Sequence, residues 1–331
     1  MRKTVTTAAL PLVLLLTGCS GAGIDSVELD GDPTPGTAPS VTFETPLRVD
    51  DVQVKLLRDG TGPEIAEGDT LMVHGAAYSG SDRSSVGETY SQGAGQLLTL
   101  VEQFRESSPE FYDVLVGAKE GAVIAYSAPK PPTATTSEGD DSTSVEVYEV
   151  VRKIPGEVEG QMRDSPAGLP AVTEDEQGVP VVAEPGGEAP DELVSEYLIE
   201  GDGEEVAEGD TVIAHYKGVT WSDGEVFDSS YERDVPAPAS FPLANVIEGW
   251  KEGLVGKKAG SRVLLSVPVD QAYGTEEDLE DQPDDFPAGD LLFVVDLLAA
   301  VETPEEPAEP EPSAPPSSSA PAEPSASATE R

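Results

Sequence analysis

Residues 224–274 read GEVFDSSYERDVPAPASFPLANVIEGWKEGLVGKKAGSRVLLSVPVDQAYG. They hold Phe227, Phe241, Trp250 and Tyr273, and in a chain that is only 5% aromatic this concentration points to a pocket with few rivals elsewhere. Helix punctuation lies inside the stretch: Asn245 can act as N-cap, Glu248 follows three residues later, and Gly256 marks a stop. The spacing predicts a short helix over 245–256 with Val246, Ile247, Trp250 and Leu254 on one face. Strands are expected at 262–268 and 291–301, the second alternating less cleanly, as in a sheet covered on one side and edged by another element. Strands around one short helix predict an α+β fold with an antiparallel sheet.

Upstream, 198–215 (LIEGDGEEVAEGDTVIAH) matches 57–74 (LRDGTGPEIAEGDTLMVH) with 10 identities in 18 positions, so the chain carries an internal duplication. In each copy a turn with two glycines leads to A-E-G-D-T and then to an apolar, β-branched strand. Period-two alternation places Val212, Ala214 and Tyr216 on one face of the second strand, with Ile213 and His215 on the other. The only two histidines, His74 and His215, fall at equivalent repeat positions. Each is expected to be a half-buried sheet residue pointing away from the Tyr216 face, not a member of a catalytic pair.

Over 331 residues, 19 Lys and Arg stand against 64 Asp and Glu, a net charge of −45. Such a field repels phosphates and anionic headgroups, which excludes nucleic acid as a partner, and it serves solubility. Arg2 and Lys3 precede an apolar run at 8–16, too short for a permanent membrane span but suited to an export signal. The run ends in Leu16-Thr17-Gly18-Cys19, and with no second cysteine there is no internal disulfide. This ending resembles the lipobox of bacterial lipoproteins. The likeness implies a signal peptide over 1–18, a lipid on Cys19, and a protein anchored on the extracytoplasmic face of the cell membrane.

Composition divides the remainder. Residues 19–48, rich in Gly, Pro, Asp, Thr and Ser without apolar periodicity, read as a flexible tether. Globular patterns at 49–154 and 191–301 are separated by a Pro-, Gly- and acid-rich linker at 155–190. Residues 302–331 read as a disordered Pro/Ser/Ala/Glu tail that cannot bury a core.

The second copy carries H-Y-x-G at 215–218, D-G-x-x-F-D-S-S at 223–230 with Arg233, V-I-x-G-W-x-E-G-L at 246–254, and A-Y-G at 272–274. With these motifs in this order it resembles the FKBP-type peptidyl-prolyl cis-trans isomerases over about 191–301. The resemblance implies two FKBP-like domains, the first degenerate, each an antiparallel sheet wrapped around a short helix. It implies a catalytic group of Asp228, Tyr273, Ile247 and Trp250: Trp250 is the floor beneath the proline ring, the Ile247 N–H and Tyr273 hydroxyl hold substrate carbonyls, and Asp228 sits at the polar edge. Tyr216, Phe227, Arg233, Phe241, Val246, Phe286 and Phe293 are the implied substrate-binding residues. Proline-containing polypeptides are the implied substrates and tacrolimus- or rapamycin-type molecules the implied ligands, with no cofactor and no metal.

The chemistry suits these residue types. Rotating an X–Pro amide faces a barrier of ~18–20 kcal/mol because resonance must be broken. The twisted transition state has lost charge separation, so an apolar, water-poor cup favours it without a nucleophile or an acid–base pair. Two features depart from the family pattern. The loop before Val246 is short, with Ala237 or a neighbour where an aromatic is common, which predicts a more open wall. The flap at 275–290 has become TEEDLEDQPDDFPAGD; its acidic run lacks the spacing of a calcium loop and reads as a solvated segment.

In the first copy Gly75 stands for Tyr216, Tyr90 and Ser91 for Phe227 and Asp228, Ser107 and Ser108 for Val246 and Ile247, and Phe111 for Trp250. Residues 129–142 (PKPPTATTSEGDDS) hold no A-Y-G. A frame with weak or no isomerase activity is expected there. Two other readings of the whole stay open: a prolyl-peptide-binding chaperone or scaffold without turnover, and a structural spacer of the cell envelope. The spacer requires Phe227, Trp250 and Tyr273 to be mutually remote.

Overall fold

The computed structural model describes residues 23–31, 36–93, 95–130, 142–280 and 286–303. The expected signal peptide, Cys19 and the tail from 304 onward lie outside the described residues.

The described residues open on a 3-10 turn, Ile24–Ser26, followed by a two-stranded ribbon, β1 (Glu28–Leu29) and β2 (Val41–Thr42). The first sheet domain follows: β3 (Gln53–Arg58), β4 (Thr70–Tyr78), β5 (Ser85–Glu88), β6 (Gln96–Thr99), helices α1 (Glu102–Ser107) and α2 (Pro109–Leu115), β7 (Val123–Ser127) and β8 (Val145–Ile154). A second ribbon, β9 (Val172–Glu174) and β10 (Pro180–Val182), leads to β11 (Val194–Ile199), β12 (Thr211–Thr220), β13 (Val226–Ser229), β14 (Ala239–Pro242), α3 (Glu248–Leu254), β15 (Ser261–Val267) and β16 (Leu291–Val301).

Both sheets are antiparallel and share one topology. Their strand orders are β3-β7-β8-β4-β5 with β6 also on β4, and β11-β15-β16-β12-β13 with β14 also on β12. The long strand β12 gives its first half to β14 and its second half to β13, while β16 pairs along its whole length. This split opens a gap on the face that α3 covers.

Strand β15 is buried at every position and β16 at all but its last, so both faces of the sheet are covered. On one face Val212, Ala214, Tyr216, Val263, Leu265 and Phe293 pack around Trp250 and Leu254 of α3. The close seat depends on Gly249: a Cβ there would fall 2.3 Å from Val267 Cγ1. The helix itself is shorter than its punctuation predicts. Asn245 ends a 3-10 turn, and α3 starts after Ile247, with no side-chain cap, when the Ile247 carbonyl accepts from Trp250 N–H and Lys251 N–H. Gly256 does adopt the left-handed backbone (φ 78°) that ends the helix.

Two expectations about connecting segments are overturned. The 19–48 stretch is not a flexible tether over its described part: Ile24, Val27, Val41, Phe43 and Leu47 are buried against Val123, Ala125, Val145 and Val147, the face of the first sheet opposite its helices. Lys55 Nζ donates to the carbonyls of Asp25 and Val27, each at 2.8 Å, and pins the strap. Likewise 155–190 is not a free linker. Met162, Leu169, Val172, Val182 and Ala189 cover Leu198, Val219, Trp221, Leu264 and Leu292 on the equivalent face of the second sheet. The physical reason is common to both: strands apolar on both faces cannot leave one of them to water, and sparse apolar side chains in a Pro- and Gly-rich segment are enough to cover it.

The second strap is also fixed by charge. Arg262, 2% exposed, donates to Asp296 from Nε at 2.5 Å and Nη2 at 2.7 Å, to Glu174 Oε1 at 2.7 Å and to the Gly178 carbonyl at 3.0 Å. A smaller apolar group, Met72, Ile154, Ile213, Leu298 and Ala299, draws residues from both sheets.

Candidate functional site

The gap between α3 and the second sheet is a cleft of about 480 Å³. It is lined by Tyr216 from β12, Phe227 and Asp228 from β13, Phe241 from β14, and Val246, Ile247 and Trp250 at the start of α3. Tyr273, Phe286 and Phe293 complete it, with Asn245. Phe227, Trp250 and Tyr273 therefore face one compartment, which removes the observation the spacer reading needs.

Trp250 is 4% exposed and is the hub of the ring contacts, with centroids 5.0 Å from Phe241, 5.5 Å from Phe293 and 5.8 Å from Tyr216. The interplanar angles with Phe293 and Tyr216 are 87° and 84°, an edge-to-face packing that fixes Trp250 within the lining of the cleft. Phe227 stands 90° to Phe293 at 5.6 Å. Gly218 makes room for Phe227, because a Cβ there would lie 2.4 Å from the ring.

The polar edge is a short chain of donors. Tyr216 Oη donates to Asp228 Oδ2, and Arg233 Nη2 donates to Tyr216 Oη at 2.8 Å. Arg233 sits 3.8 Å from Asp228 Oδ1 and over the Tyr216 ring at 5.7 Å, at the rim and outside the lining itself. Both members of this ion pair are about half exposed, so it orients more than it stabilises. Burial, then the Asp228 bond and charge, pushes the Tyr216 phenol far above its ordinary range. Burial, then the Asp228 charge, also raises Tyr273. Both hydroxyls thus remain donors at neutral pH. Among the described residues, neither the Ile247 N–H nor the Tyr273 hydroxyl donates to a protein acceptor.

The loop carrying Asp228 and Arg233 is fastened from behind. Ser230 Oγ accepts from the Tyr216 N–H at 2.9 Å and bonds His215 Nδ1 at 2.9 Å, and Tyr231 Oη donates to Asp296 at 2.6 Å while stacking on His215 at 4.7 Å. His215 lies on the far side of the strand from the cleft, 7% exposed, and burial lowers its pKa. The sequence reading missed two partners. Asn245, read as a cap, lines the cleft, and Tyr231 couples the site loop to the buried Arg262–Asp296 pair. No sequence signal marks either.

Phe286 reaches the cleft from the flap, its ring 5.0 Å from Tyr273, but is 43% exposed. The acidic run before it is described only as far as 280, and no metal-ligating cluster occurs among the described residues.

The first domain keeps the frame and changes the cleft. Gly75 leaves space that Tyr148 enters, its Cε1 3.2 Å from where a Cβ would stand. One sequence equivalence is corrected. Tyr90 stacks on His74 at 4.5 Å and donates to Glu149, as Tyr231 does with His215 and Asp296, so Tyr90 matches Tyr231 and not Phe227. By strand register, Val86 and Gly87 occupy the Phe227 and Asp228 positions. Glu146, in turn, stands where the second domain has Phe293.

The model of the FKBP-type peptidyl-prolyl cis-trans isomerase family matches residues 202–298. A probable FK506-binding protein of Corynebacterium glutamicum is 40% identical over 121 residues, 37% of this chain and 98% of the relative. An FK506-binding protein of Streptomyces anulatus is 40% identical over 120 residues, 36% of this chain and 95% of the relative. The crystal structure of FkpA from Escherichia coli aligns at 32% identity with a TM-score of 0.30, over 41% of this chain and 53% of that one. The chain belongs to the FKBP-type peptidyl-prolyl isomerases. It is a peptidyl-prolyl cis-trans isomerase, and the matched segment is the second domain.

Proposed function

We propose that the second domain rotates X–Pro bonds of exported polypeptides by gripping proline in the Trp250 cleft, and that Cys19 anchors the enzyme by a lipid on the extracytoplasmic face of the cell membrane. The observation that carries the catalytic part is the cleft itself: a ring-walled cup of about 480 Å³ with two donors, the Ile247 N–H and the Tyr273 hydroxyl, left for a substrate backbone. A proline ring laid on Trp250 displaces water from the amide. Loss of N–C=O resonance on twisting makes the transition state the less polar partner, and the apolar walls then favour it over either planar isomer. The two donors hold the flanking carbonyls so that rotation is confined to one bond. Asp228, held by Tyr216 and Arg233, keeps the polar edge in place beside Tyr273.

Proline-peptide rotation followed with the full chain tests this. The uncatalysed step takes tens to hundreds of seconds, so catalysis is read directly. Trp250→Leu should return the rate close to background, and Tyr273→Phe should cost about tenfold, the worth of one hydrogen bond made in the transition state. Unchanged rates for both variants would refute the assignment, and substrate binding without acceleration would favour a holding role. For the anchor, mass spectrometry of membrane fractions should find an acylated Cys19 at the N-terminus; an unmodified chain in the soluble fraction overturns that part.

A further inference from the structure

The first domain has its own cleft, about 460 Å³, in the place where the second domain has the proline cup. Its walls include Phe104, Phe111, Tyr126 and Tyr148, with ring centroids 5.0 Å apart for Phe111–Tyr148, 5.9 Å for Phe111–Tyr126 and 6.1 Å for Phe104–Phe111. Into this ring the register sets a carboxylate. Tyr126 and Glu146 are directly opposed on β7 and β8, and Tyr148 lies two residues on, on the same face. Glu146 Oε2 accepts from Tyr148 Oη at 2.5 Å, and no basic side chain of the described residues pairs with it. Burial first, then the charges of Glu146 and of Glu110, which is exposed on α2 next to Phe111, raise the Tyr126 phenol above its ordinary range.

A carboxylate among aromatic faces is unsuited to a proline ring, since a half-buried charge there must be desolvated to no gain. The same arrangement is suited to a cation. Ring faces attract ammonium and guanidinium groups through their quadrupole, and the carboxylate supplies the counter-charge. We propose that the first domain is a binding site for the basic side chain of a polypeptide, a lysine or arginine seated between Tyr126, Tyr148 and Phe111 with its charge on Glu146. The partner's sign is set by charge complementarity twice over, in the cleft and in a chain of net charge −45. The site is built from its own residues and stands apart from the cup in the second domain; the two together would hold a basic residue and a proline of exported chains.

The test uses the full chain labelled with 3-fluorotyrosine, its Tyr126 and Tyr148 fluorine resonances assigned by Tyr126→Phe and Tyr148→Phe. The probe is a proline-free peptide with one central lysine, set against the same peptide with norleucine at that position and against free butylamine. Saturable shifts at both tyrosines with the lysine peptide are expected, with binding at least about tenfold weaker for norleucine and for E146Q. The amide carbonyl that E146Q introduces still accepts from Tyr148, and unchanged fluorine resonances of Tyr78, Tyr90 and Tyr112, which lie elsewhere in the first domain, show that this domain is folded in the variant. Equal binding of norleucine, or no change in E146Q, overturns the cation site. Shifts absent from Tyr126 and Tyr148 would mean attraction to the acidic surface only and overturn it too, while butylamine binding as tightly as the peptide overturns the polypeptide assignment.

Discussion

The two sheet domains share strand order, register and the histidine–tyrosine–carboxylate group behind the sheet, yet they present opposite chemistry at the helix face. In the second, Tyr216, Phe293 and Trp250 wall an apolar cup. In the first, Gly75, Glu146 and Phe111 take those places, Tyr148 swings into the vacated volume, and the cleft acquires a charge. The lesson is that a duplicated frame is maintained by the face nobody uses for catalysis. Tyr90 on His74 and Glu149, and Tyr231 on His215 and Asp296, repeat almost atom for atom, while side chains on the other face diverge because no backbone bond depends on them.

The largest effect should come where the straps differ. Strap two is pinned by the buried Arg262 ion pair, whereas the first sheet has Val123 at that register position and holds its strap by apolar contact and by the Lys55 hydrogen bonds to the Asp25 and Val27 carbonyls. Arg262→Ala leaves Asp296 buried without its partner, and should cost about 3–5 kcal/mol of stability. Chemical denaturation measures it, and protease cleavage within 155–190 should accelerate in parallel. A loss below about 1 kcal/mol, the worth of an ordinary surface pair, would mean that apolar cover, not the ion pair, fixes both straps alike.

Next comes the cup. Phe293→Glu copies Glu146 into the second domain and places a carboxylate beneath Trp250, so kcat/KM should fall by at least about a hundredfold, roughly 2.7 kcal/mol of transition-state stabilisation. Circular dichroism checks that the sheet persists. Retained activity would break the claim that apolarity of the walls separates the two domains.

The smallest effect concerns what the domains share. Burial depresses the pKa of both His74 and His215. Each folded value lies below the unfolded one, near 6.5, so unfolding takes up protons as the solution is acidified. The stabilisation is intact above about pH 6.5 and is lost as pH falls through the folded values. His74→Asn and His215→Asn should each flatten the pH dependence of stability below about pH 6.5, read by chemical denaturation across a pH series. A flattening from only one of them would show that the repeated group is equivalent in geometry but not in energy.

Much of this was legible in the chain. The repeat at 57–74 and 198–215, the strand faces, and the helix punctuation around Trp250 led to the antiparallel α+β fold, because each rests on local periodicity, while the individual members of the cleft came from the resemblance of the second copy's motifs to the FKBP family. The straps were not legible. Phe43, Leu47, Val172 and Val182 are sparse apolar residues in Pro- and Gly-rich stretches, in runs too short to carry a period, and their order comes from a surface formed by other strands. The one available signal was the run LLFVVDLLAAV at 291–301, apolar at every position but Asp296 and therefore demanding cover on both faces. The exchange of Val86 for Phe227 was misread for a related reason: alignment by residue type favoured Tyr90, whereas the hydrogen-bond register assigns that residue to the Tyr231 position.

Sequence by itself determined that the chain holds two related sheets with one aromatic-rich cleft, since hydrophobic period and turn chemistry act over a few neighbouring residues. Only tertiary structure decided what covers the outer faces, that Tyr231 and Arg262 brace the site loop from behind, and that Tyr126, Tyr148, Phe111 and Glu146 meet. Those contacts join residues far apart along the chain, and burial rewards them only once both surfaces exist.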